Sequence, residues 1–149
     1  MKLRVYLDTS VFSACEDDKL PDRRQQTMSF WADRTRFDLS TSVLAEQEIM
    51  QTPDPQRRQR LRSLLEGLTL YPVTDEVLDL ARRYVDADVF ATRDVNDAVH
   101  VAAAVLNRQD ILLSWNFRHL VNRLRRAKVN QLNVALGLPG IEILAPPEL

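Results

Sequence analysis

Residues Leu3 to Val11 read LRVYLDTSV, a short apolar run that ends in an acidic residue and two hydroxyls. Runs such as Val5–Leu7 are typical of a strand buried on both faces of a parallel sheet. Asp8, Thr9 and Ser10 then fit the end of that strand and the start of a helix, because these residue types are preferred helix caps. The carboxyl ends of parallel strands, beside helix N-termini, are also where ligands bind. Asp8 is therefore either a helix cap or a ligand for something charged.

The composition is that of an ordinary globular protein. A chain of 149 residues with 45% hydrophobic and 28% charged residues predicts one domain, residues 1–149, with a substantial core. Only three glycines occur, which argues against a glycine-rich phosphate loop. The single cysteine, Cys15, excludes an internal disulfide and a multi-cysteine zinc site and is expected to be a buried, inert thiol.

The charge and hydropathy pattern also limits the partners. A net charge of −1 gives no overall attraction to nucleic acid, so any such contact must come from local basic patches. No signal peptide and no long apolar run is visible, so we expect a cytoplasmic protein without a membrane segment.

Strands alternate with helices along the rest of the chain, which predicts an α/β fold, a three-layer α/β/α sandwich around a central parallel sheet. The predicted strands after the first are 37–41, 68–73, 111–114 and 141–144. The predicted helices after the first turn are 22–35, 43–50, 56–66, 75–85, 98–106 and 117–136. Pro72 favours an edge position for the third strand, and the nearly all-apolar helix 98–106 should be deeply buried.

Polar residues recur where these strands end and where deep helices begin. Asp8 follows the first strand, Glu46 lies one turn into the helix after Ser42, Asp97 heads the apolar helix, and Asn116 follows the fourth strand. Carboxylates that converge in one cleft repel each other unless a cation neutralises them. Oxygen ligands suit hard ions such as Mg²⁺ or Mn²⁺, which can activate water for phosphodiester hydrolysis.

Each of these residues also has a purely structural interpretation. Asp94 and Asp97 match the spacing of a helix capping box, and Glu46 and Glu48 could both be solvated helix positions. His100, flanked by valines, is typical of a hydrogen-bonded core histidine. Spacing alone does not choose between the interpretations.

Four short motifs, in order, carry a resemblance that does. The chain resembles the PIN-domain family of metal-dependent ribonucleases, which includes the toxin half of VapBC toxin–antitoxin pairs. The matching segments are LDTSV (7–11), SVLAE (42–46), DAVHVAAA (97–104) and LSWN (113–116).

The resemblance implies a metal site and a set of partners. Asp8, Glu46 and Asp97 would hold Mg²⁺ or Mn²⁺, and Asn116 falls where the family has Asp or Asn. Thr9 or Ser10 would orient Asp8 or the attacking water. The family often has a further acid where this chain has His119, which implies one tightly held ion and a second that arrives with the substrate. The implied partners are an RNA substrate, a cognate antitoxin and a second copy of the chain.

Two groups of basic residues either bind the RNA backbone, since phosphate neutralisation drives sequence-independent binding, or form solvated helix faces. One follows the fourth strand, in a stretch without Asp or Glu between residues 111 and 140, and the other lies on the helix 56–66. Their members are Arg118, Arg123, Arg125, Arg126 and Lys128, and Arg57, Arg58, Arg60 and Arg62. Trp31 is expected in the core. Trp115 either stacks on a base or packs against the last helix.

Two rival functions stay open on sequence alone. The first is a catalytically silent PIN-like module that binds RNA or a protein through its basic residues. The second is a phosphatase that uses Asp8 as a covalent nucleophile. Phosphatases of the haloacid-dehalogenase type carry a second Asp two residues later, where this chain has Ser10, which disfavours that rival.

Overall fold

The computed structural model describes residues 1–149 and contains one five-stranded sheet. The strands are β1 Leu3–Leu7, β2 Phe37–Ser42, β3 Thr69–Tyr71, β4 Ile111–Leu113 and β5 Glu142–Leu144. The helices are α1 Thr9–Ser13, α2 Pro21–Ala32, α3 Val43–Met50, α4 Pro55–Ser63, α5 Asp75–Asp86, α6 Val95–Leu106 and α7 Arg123–Ala135. Short 3₁₀ turns cover Ala14–Glu16, Arg34–Arg36, Thr92–Asp94 and Pro146–Glu148.

All four strand pairings are parallel, and the strand order is β3-β2-β1-β4-β5. The chain first builds outward from β1 to β3 and then returns to the other side of β1 with β4 and β5. The order therefore reverses between β1 and β4, and ligands of open α/β sheets bind beyond the carboxyl ends of the strands at such a point. The predicted edge position of β3 is confirmed.

Two apolar cores lie on opposite faces of this sheet, because alternate residues of a strand point to opposite sides. Tyr6 and Leu112 belong to the larger core, under α5, α6 and α7. Their neighbours on the same strands, Val5, Leu7 and Ile111, belong to the smaller core, under α1, α2 and α4. The three-layer α/β/α sandwich with a central parallel sheet is thus confirmed.

Helix α6 is the deepest helix, as its composition predicts. Every residue from Ala98 to Val105 is buried. The burial of these residues fixes the position of Asp97, which lies in the first turn of this helix.

Four predicted helices differ from the observed ones by three residues or more at one end. The helix predicted over 56–66 ends at Ser63, and the one predicted over 98–106 begins at Val95. The last helix begins at Arg123 instead of residue 117, because the Asn122 side chain caps it by accepting a hydrogen bond from the Arg125 amide at 2.8 Å. Helix α2 ends at Ala32, and on it Met28 is exposed while Thr27 is buried. A buried threonine is tolerated here because its hydroxyl is satisfied within the protein: it donates a hydrogen bond to the Arg23 carbonyl at 2.6 Å.

None of the helices combines the length and the apolar composition needed to span a bilayer.

Candidate metal and nuclease site

Asp8 lies at the point where the strand order reverses, and its carboxylate is held by three hydrogen bonds. Its backbone amide donates to the Leu113 carbonyl of β4 at 3.1 Å. Its Oδ1 accepts from the Ser10 amide at 3.0 Å and from the Ser10 hydroxyl, and its Oδ2 accepts from the Ser114 hydroxyl at 2.7 Å. Asp8 is therefore the cap of α1 and, at the same time, an oriented carboxylate at the ligand-binding edge of the sheet.

The Asp8 carboxylate is 4% exposed, so its charge is largely removed from water. Burial raises the pKa of Asp8, and the nearby His100 and the bonds from Ser10 and Ser114 only partly oppose this. The ionised form of Asp8 is therefore destabilised by burial while its orientation is fixed, and a bound cation would stabilise that ionised form.

A second group of ligand atoms lies at the start of α6. One donor atom each from Asp94, Asp97 and His119 lies within 4.8 Å of the others. The His119 Nδ1 is 3.5 Å from the Asp94 carboxylate, and the Asn116 amide donates to Asp97 at 3.5 Å. Asn116 also accepts from the His119 backbone amide at 3.0 Å, which folds residues 116–119 back onto the site.

Asp97 is electrostatically coupled to Asp8. Burial and then the Asp8 charge raise the pKa of Asp97 to about 6, against the opposing effects of His100 and His119. Two carboxylates that destabilise each other in this way hold either a proton or a cation. Asp8, Asp97 and Asn116 are thus brought together, as the sequence predicts.

Asp94 does not act as the cap of α6, although its spacing to Asp97 matches a capping box. It occupies the cap position but makes no side-chain hydrogen bond to the helix amides. Its carboxylate instead turns toward His119 and Asp97. The capping interpretation of Asp94 is therefore wrong.

Glu48, and not Glu46, contacts the other polar groups of the site from α3. The Glu48 carboxylate accepts from the Thr9 hydroxyl at 2.7 Å and lies 2.8 Å from His100 Nε2. Although its partial burial opposes ionisation, the bonds from His100 and Thr9 lower the pKa of Glu48. The half-buried Glu46 side chain makes no hydrogen bond or ion pair.

Helical spacing could not have chosen between the two glutamates. Ala45 and Ile49 form the buried stripe of α3. At about 100° per residue, Glu46 and Glu48 lie about 80° to either side of that stripe. Only the position of Thr9 and His100, on other elements, separates them.

His100 is a hydrogen-bonded core histidine, as its apolar neighbours predict, and it also connects the core to the site. It is 3% exposed, with Nδ1 2.7 Å from the Tyr6 hydroxyl and Nε2 facing Glu48. Tyr6 in turn donates to the Ser42 hydroxyl at 2.7 Å. The chain of bonds fixes the Glu48 carboxylate through groups on β1, β2 and α6.

The combined donor set fits a divalent cation of the hard or borderline class. Carboxylate and amide oxygens from Asp8, Asp97 and Asn116 are typical Mg²⁺ and Mn²⁺ ligands. The imidazole of His119 is a nitrogen donor, which Mn²⁺ accepts more readily than Mg²⁺. The chemistry of these groups therefore matches an ion that binds phosphate oxygens and water.

The two basic groups differ in how many of their side chains form hydrogen bonds or ion pairs within the protein. On α4, Arg57 donates to the Glu16 carbonyl at 3.0 Å, Arg60 pairs with the Glu16 carboxylate at 2.7 Å, and Arg58 donates to the Thr52 carbonyl at 3.0 Å. These guanidinium groups attach α4 to its neighbours. Arg62 also lies on this helix.

In the group that follows β4, two arginines also bond to neighbouring parts of the protein. Arg125 donates to the Val89 carbonyl at 2.5 Å, and Arg126 pairs with Glu148 at 3.1 Å. Arg118, Arg123 and Lys128 are exposed and make no ion pair.

Trp115 is buried, so it cannot stack on a base. It is 6% exposed, and its indole nitrogen donates to the Thr27 hydroxyl of α2 at 2.8 Å. Besides this bond to α2, the Trp115 ring belongs to the larger core, which also contains Val129 of the last helix, α7. Trp31 is buried in the smaller core, as predicted.

Comparison with known proteins places the chain in a family. The sequence profile of the PIN domain matches residues 5–127, which include all the site residues described above. The chain belongs to the PIN domain family. No curated protein matches the chain in sequence.

Solved structures with the same fold come from toxin–antitoxin systems. A chain of a toxin–antitoxin complex from Klebsiella pneumoniae superposes with a TM-score of 0.58 at 15% identity, covering 77% of this PIN domain chain and 88% of that chain. A chain of VapBC2 from Rickettsia felis, bound to a promoter DNA fragment, gives a TM-score of 0.56 at 9% identity, with 95% and 97% coverage. A chain of DNA-bound VapBC from Salmonella typhimurium gives 0.53 at 17% identity, with 97% and 98% coverage. At these identities the likeness supports the fold.

Proposed function

We propose that this PIN domain protein is a ribonuclease that hydrolyses RNA phosphodiester bonds with the help of Mg²⁺ or Mn²⁺. The observation that carries the proposal is the convergence of Asp8 and the Asp94–Asp97–His119 group at the point where the strand order of the sheet reverses. Membership of a family of nucleases supports the same activity.

Asp8, Asp97 and Asn116 would hold the ion, with Glu48 as the fourth contributor from α3. Glu46, which the sequence predicts for that role, makes no side-chain hydrogen bond or ion pair with the site residues. A divalent ion bound here would polarise a phosphate oxygen and lower the pKa of a bound water. Asp94 and His119 extend the site on the side of α6.

The protein groups around the site have separable tasks in hydrolysis, in which water adds across a phosphorus–oxygen bond. The bonds from Ser10 and Ser114 keep both oxygens of Asp8 in fixed directions, so its orientation costs no entropy during the reaction. The Thr9 and His100 bonds do the same for Glu48. Burial of Asp8 keeps competing water away from its carboxylate and strengthens its electrostatic effect.

We infer further that the protein is the toxin of a type II toxin–antitoxin pair, a cytoplasmic protein that binds an antitoxin and forms a homodimer. The fold shared with chains of VapBC systems supports this role. Induced expression of the chain in a bacterium is expected to arrest growth, and expression of the Asp97→Asn variant is not. Growth arrest of equal strength by both would contradict the toxin role.

Cleavage of defined RNAs by Asp8→Asn tests the ribonuclease directly. The variant keeps the shape of the side chain and its cap bonds but loses the charge, so we expect cleavage to be abolished while the circular dichroism spectrum is unchanged. Asp38→Asn is the matched control, since Asp38 is exposed near the amino end of β2, at the other edge of the sheet. Full activity of Asp8→Asn would contradict the proposal.

The alternative is a catalytically silent PIN-like module that binds RNA or a protein. The feature that favours it is His119, at a position where family members often have an acid. The silent module predicts that Mn²⁺ neither binds nor raises the melting temperature. The ribonuclease predicts both, together with cleavage.

A further inference from the structure

An exposed aromatic ring follows Asn116 in the chain, and an unpaired guanidinium packs over it. Phe117 follows Asn116 in the chain and is 47% exposed, whereas Trp115, which precedes Asn116, is buried. The two rings contact each other in a T-shaped arrangement, with centroids 6.1 Å apart. The loop that supplies the site's amide therefore also presents an open aromatic face to solvent.

Arg23 of α2 packs over both rings. Its guanidinium carbon is 4.9 Å from the Trp115 ring centroid and 5.6 Å from that of Phe117, within cation–π range. The guanidinium makes no hydrogen bond or ion pair, so its N–H donors remain available to a ligand. Stacking limits the freedom of the side chain in advance and so lowers the entropic cost of binding a phosphate.

A purely structural Arg–aromatic pair elsewhere in the same protein has a different form. Arg125 lies 4.6 Å from the Phe90 ring centroid, but Phe90 is buried and Arg125 donates to the Val89 carbonyl. That pair has neither a free donor nor an open ring. The pair formed by Arg23 and Phe117 has both.

We propose that Phe117 and Arg23 form a subsite for one nucleotide of single-stranded RNA, with the base stacked on Phe117 and a phosphate bound by Arg23. This inference rests on the proposed function, because it places that nucleotide next to Asn116, which the proposed function assigns to the ion. Base–aromatic stacking accepts any base, so the subsite would anchor the strand without strong sequence preference. Exposed and unpaired Arg118 and Arg123, in a stretch without any acid, provide the surrounding positive charge.

Fluorescence titration in EDTA tests the subsite without cleavage. The probe is a set of short single-stranded RNAs that carry 2-aminopurine at successive positions, since stacking quenches its emission. We expect quenching at one position with the wild type, a roughly 5- to 100-fold weaker affinity with Phe117→Ala, and near-normal affinity and quenching with Phe117→Tyr. A structural role alone would not produce position-specific quenching.

Arg23→Gln is expected to weaken binding and to lower the slope of log affinity against log salt concentration by about 0.7, as for one lost phosphate contact on a single strand. Arg34→Gln is the matched control. Arg34 is also exposed and unpaired but lies beyond the other end of α2, roughly 16 Å away along the helix axis.

Two outcomes would overturn the subsite. They are absence of RNA binding by the wild type and RNA binding that is unchanged in Phe117→Ala, whether or not that variant loses self-association in analytical ultracentrifugation. Failure of the proposed function looks different, because a protein that never cleaves RNA with Mn²⁺ could still show Phe117-dependent quenching in EDTA.

Discussion

At the scale of single residues, the position of Glu48 depends on a line of buried hydrogen bonds that begins in the sheet. Ser42, Tyr6 and His100 follow one another from β2 through β1 to α6 and end at the Glu48 carboxylate. Burial raises the pKa of the Tyr6 hydroxyl above its usual range, so it stays protonated and keeps this line intact. The core thereby orients a charged group at the surface of the site.

The two glutamates of α3 give a matched pair of variants. Glu48→Gln removes the charge held by Thr9 and His100, and we expect Mn²⁺ affinity and RNA cleavage to fall by about 10- to 100-fold. Glu46→Gln should change neither. Calorimetric titration with Mn²⁺ and a cleavage assay measure the effect, and a larger loss in Glu46→Gln would restore Glu46 as the site residue.

His119 should set the preference of the site among divalent ions. In His119→Asp an oxygen donor replaces the imidazole, and oxygen donors favour Mg²⁺. We expect the ratio of the Mg²⁺ to the Mn²⁺ dissociation constant to fall by roughly tenfold, from calorimetric titrations of both ions. An unchanged ratio would mean that His119 does not contact the ion.

The sequence predicts some of these residues better than others. Strand ends and helix starts make Asp8, Asp97 and Asn116 candidates, and the resemblance of their motifs to the PIN-domain family selects them. Glu48 and Asp94 could not be found in this way, since each has an equally good local interpretation, and only contacts with His100 or His119 on distant parts of the chain decide their roles. Local patterns do not contain such long-range contacts.

At the scale of elements, the segment between β4 and α7 connects the site to the fold. The sequence predicts a helix from residue 117, but Asn116 and Asn122 both bind backbone amides ahead of them and so favour turns. The Asn122 side chain also donates to the carbonyls of Phe117 and Arg118, at 2.9 and 3.2 Å. One asparagine therefore caps α7 and anchors the loop of the site.

Asn122→Ala removes this cap, and we expect the free energy of unfolding to fall by about 1 kcal/mol, the usual effect of losing an N-cap. Urea denaturation followed by circular dichroism measures the change. Gln131→Ala, at an exposed position within α7, is the control and should leave stability nearly unchanged. Equal stability of Asn122→Ala and the wild type would show that the cap is unimportant.

At the scale of the whole molecule, the parallel sheet and its helices could be predicted because hydrophobic period and strand–helix alternation are global signals. The strand order could not, since nothing local states that β4 pairs with β1 rather than with β3. Yet that order brings Asp8 and Asn116, which are far apart in the sequence, to one site.

The same convergence makes stability depend on pH. Since burial and Asp8 raise the pKa of Asp97 to about 6, the folded metal-free protein binds a proton that the unfolded chain binds more weakly. The stabilising contribution of this group is therefore present at low pH and is lost as the pH rises from about 4 to about 6. Asp8, whose pKa is also raised, acts in the same direction.

A divalent ion should reverse this loss, because it binds the deprotonated carboxylates. We expect Mn²⁺ to raise the melting temperature more at pH 7.5 than at pH 5, and Asp97→Asn to show little Mn²⁺ effect at either pH. Differential scanning fluorimetry across this range measures both. An equal Mn²⁺ effect at the two pH values in the wild type would contradict the assignment of Asp97.

The central claim is that the acidic site cleaves RNA through a divalent ion held by Asp97 and its neighbours. The most direct test is the amount of a defined RNA cleaved by wild type and Asp97→Asn in EDTA and after addition of excess Mn²⁺. We predict no cleavage in EDTA, recovery with Mn²⁺ for the wild type, and no recovery for Asp97→Asn. Cleavage that persists in EDTA, or that Asp97→Asn performs as well as the wild type, would contradict the claim.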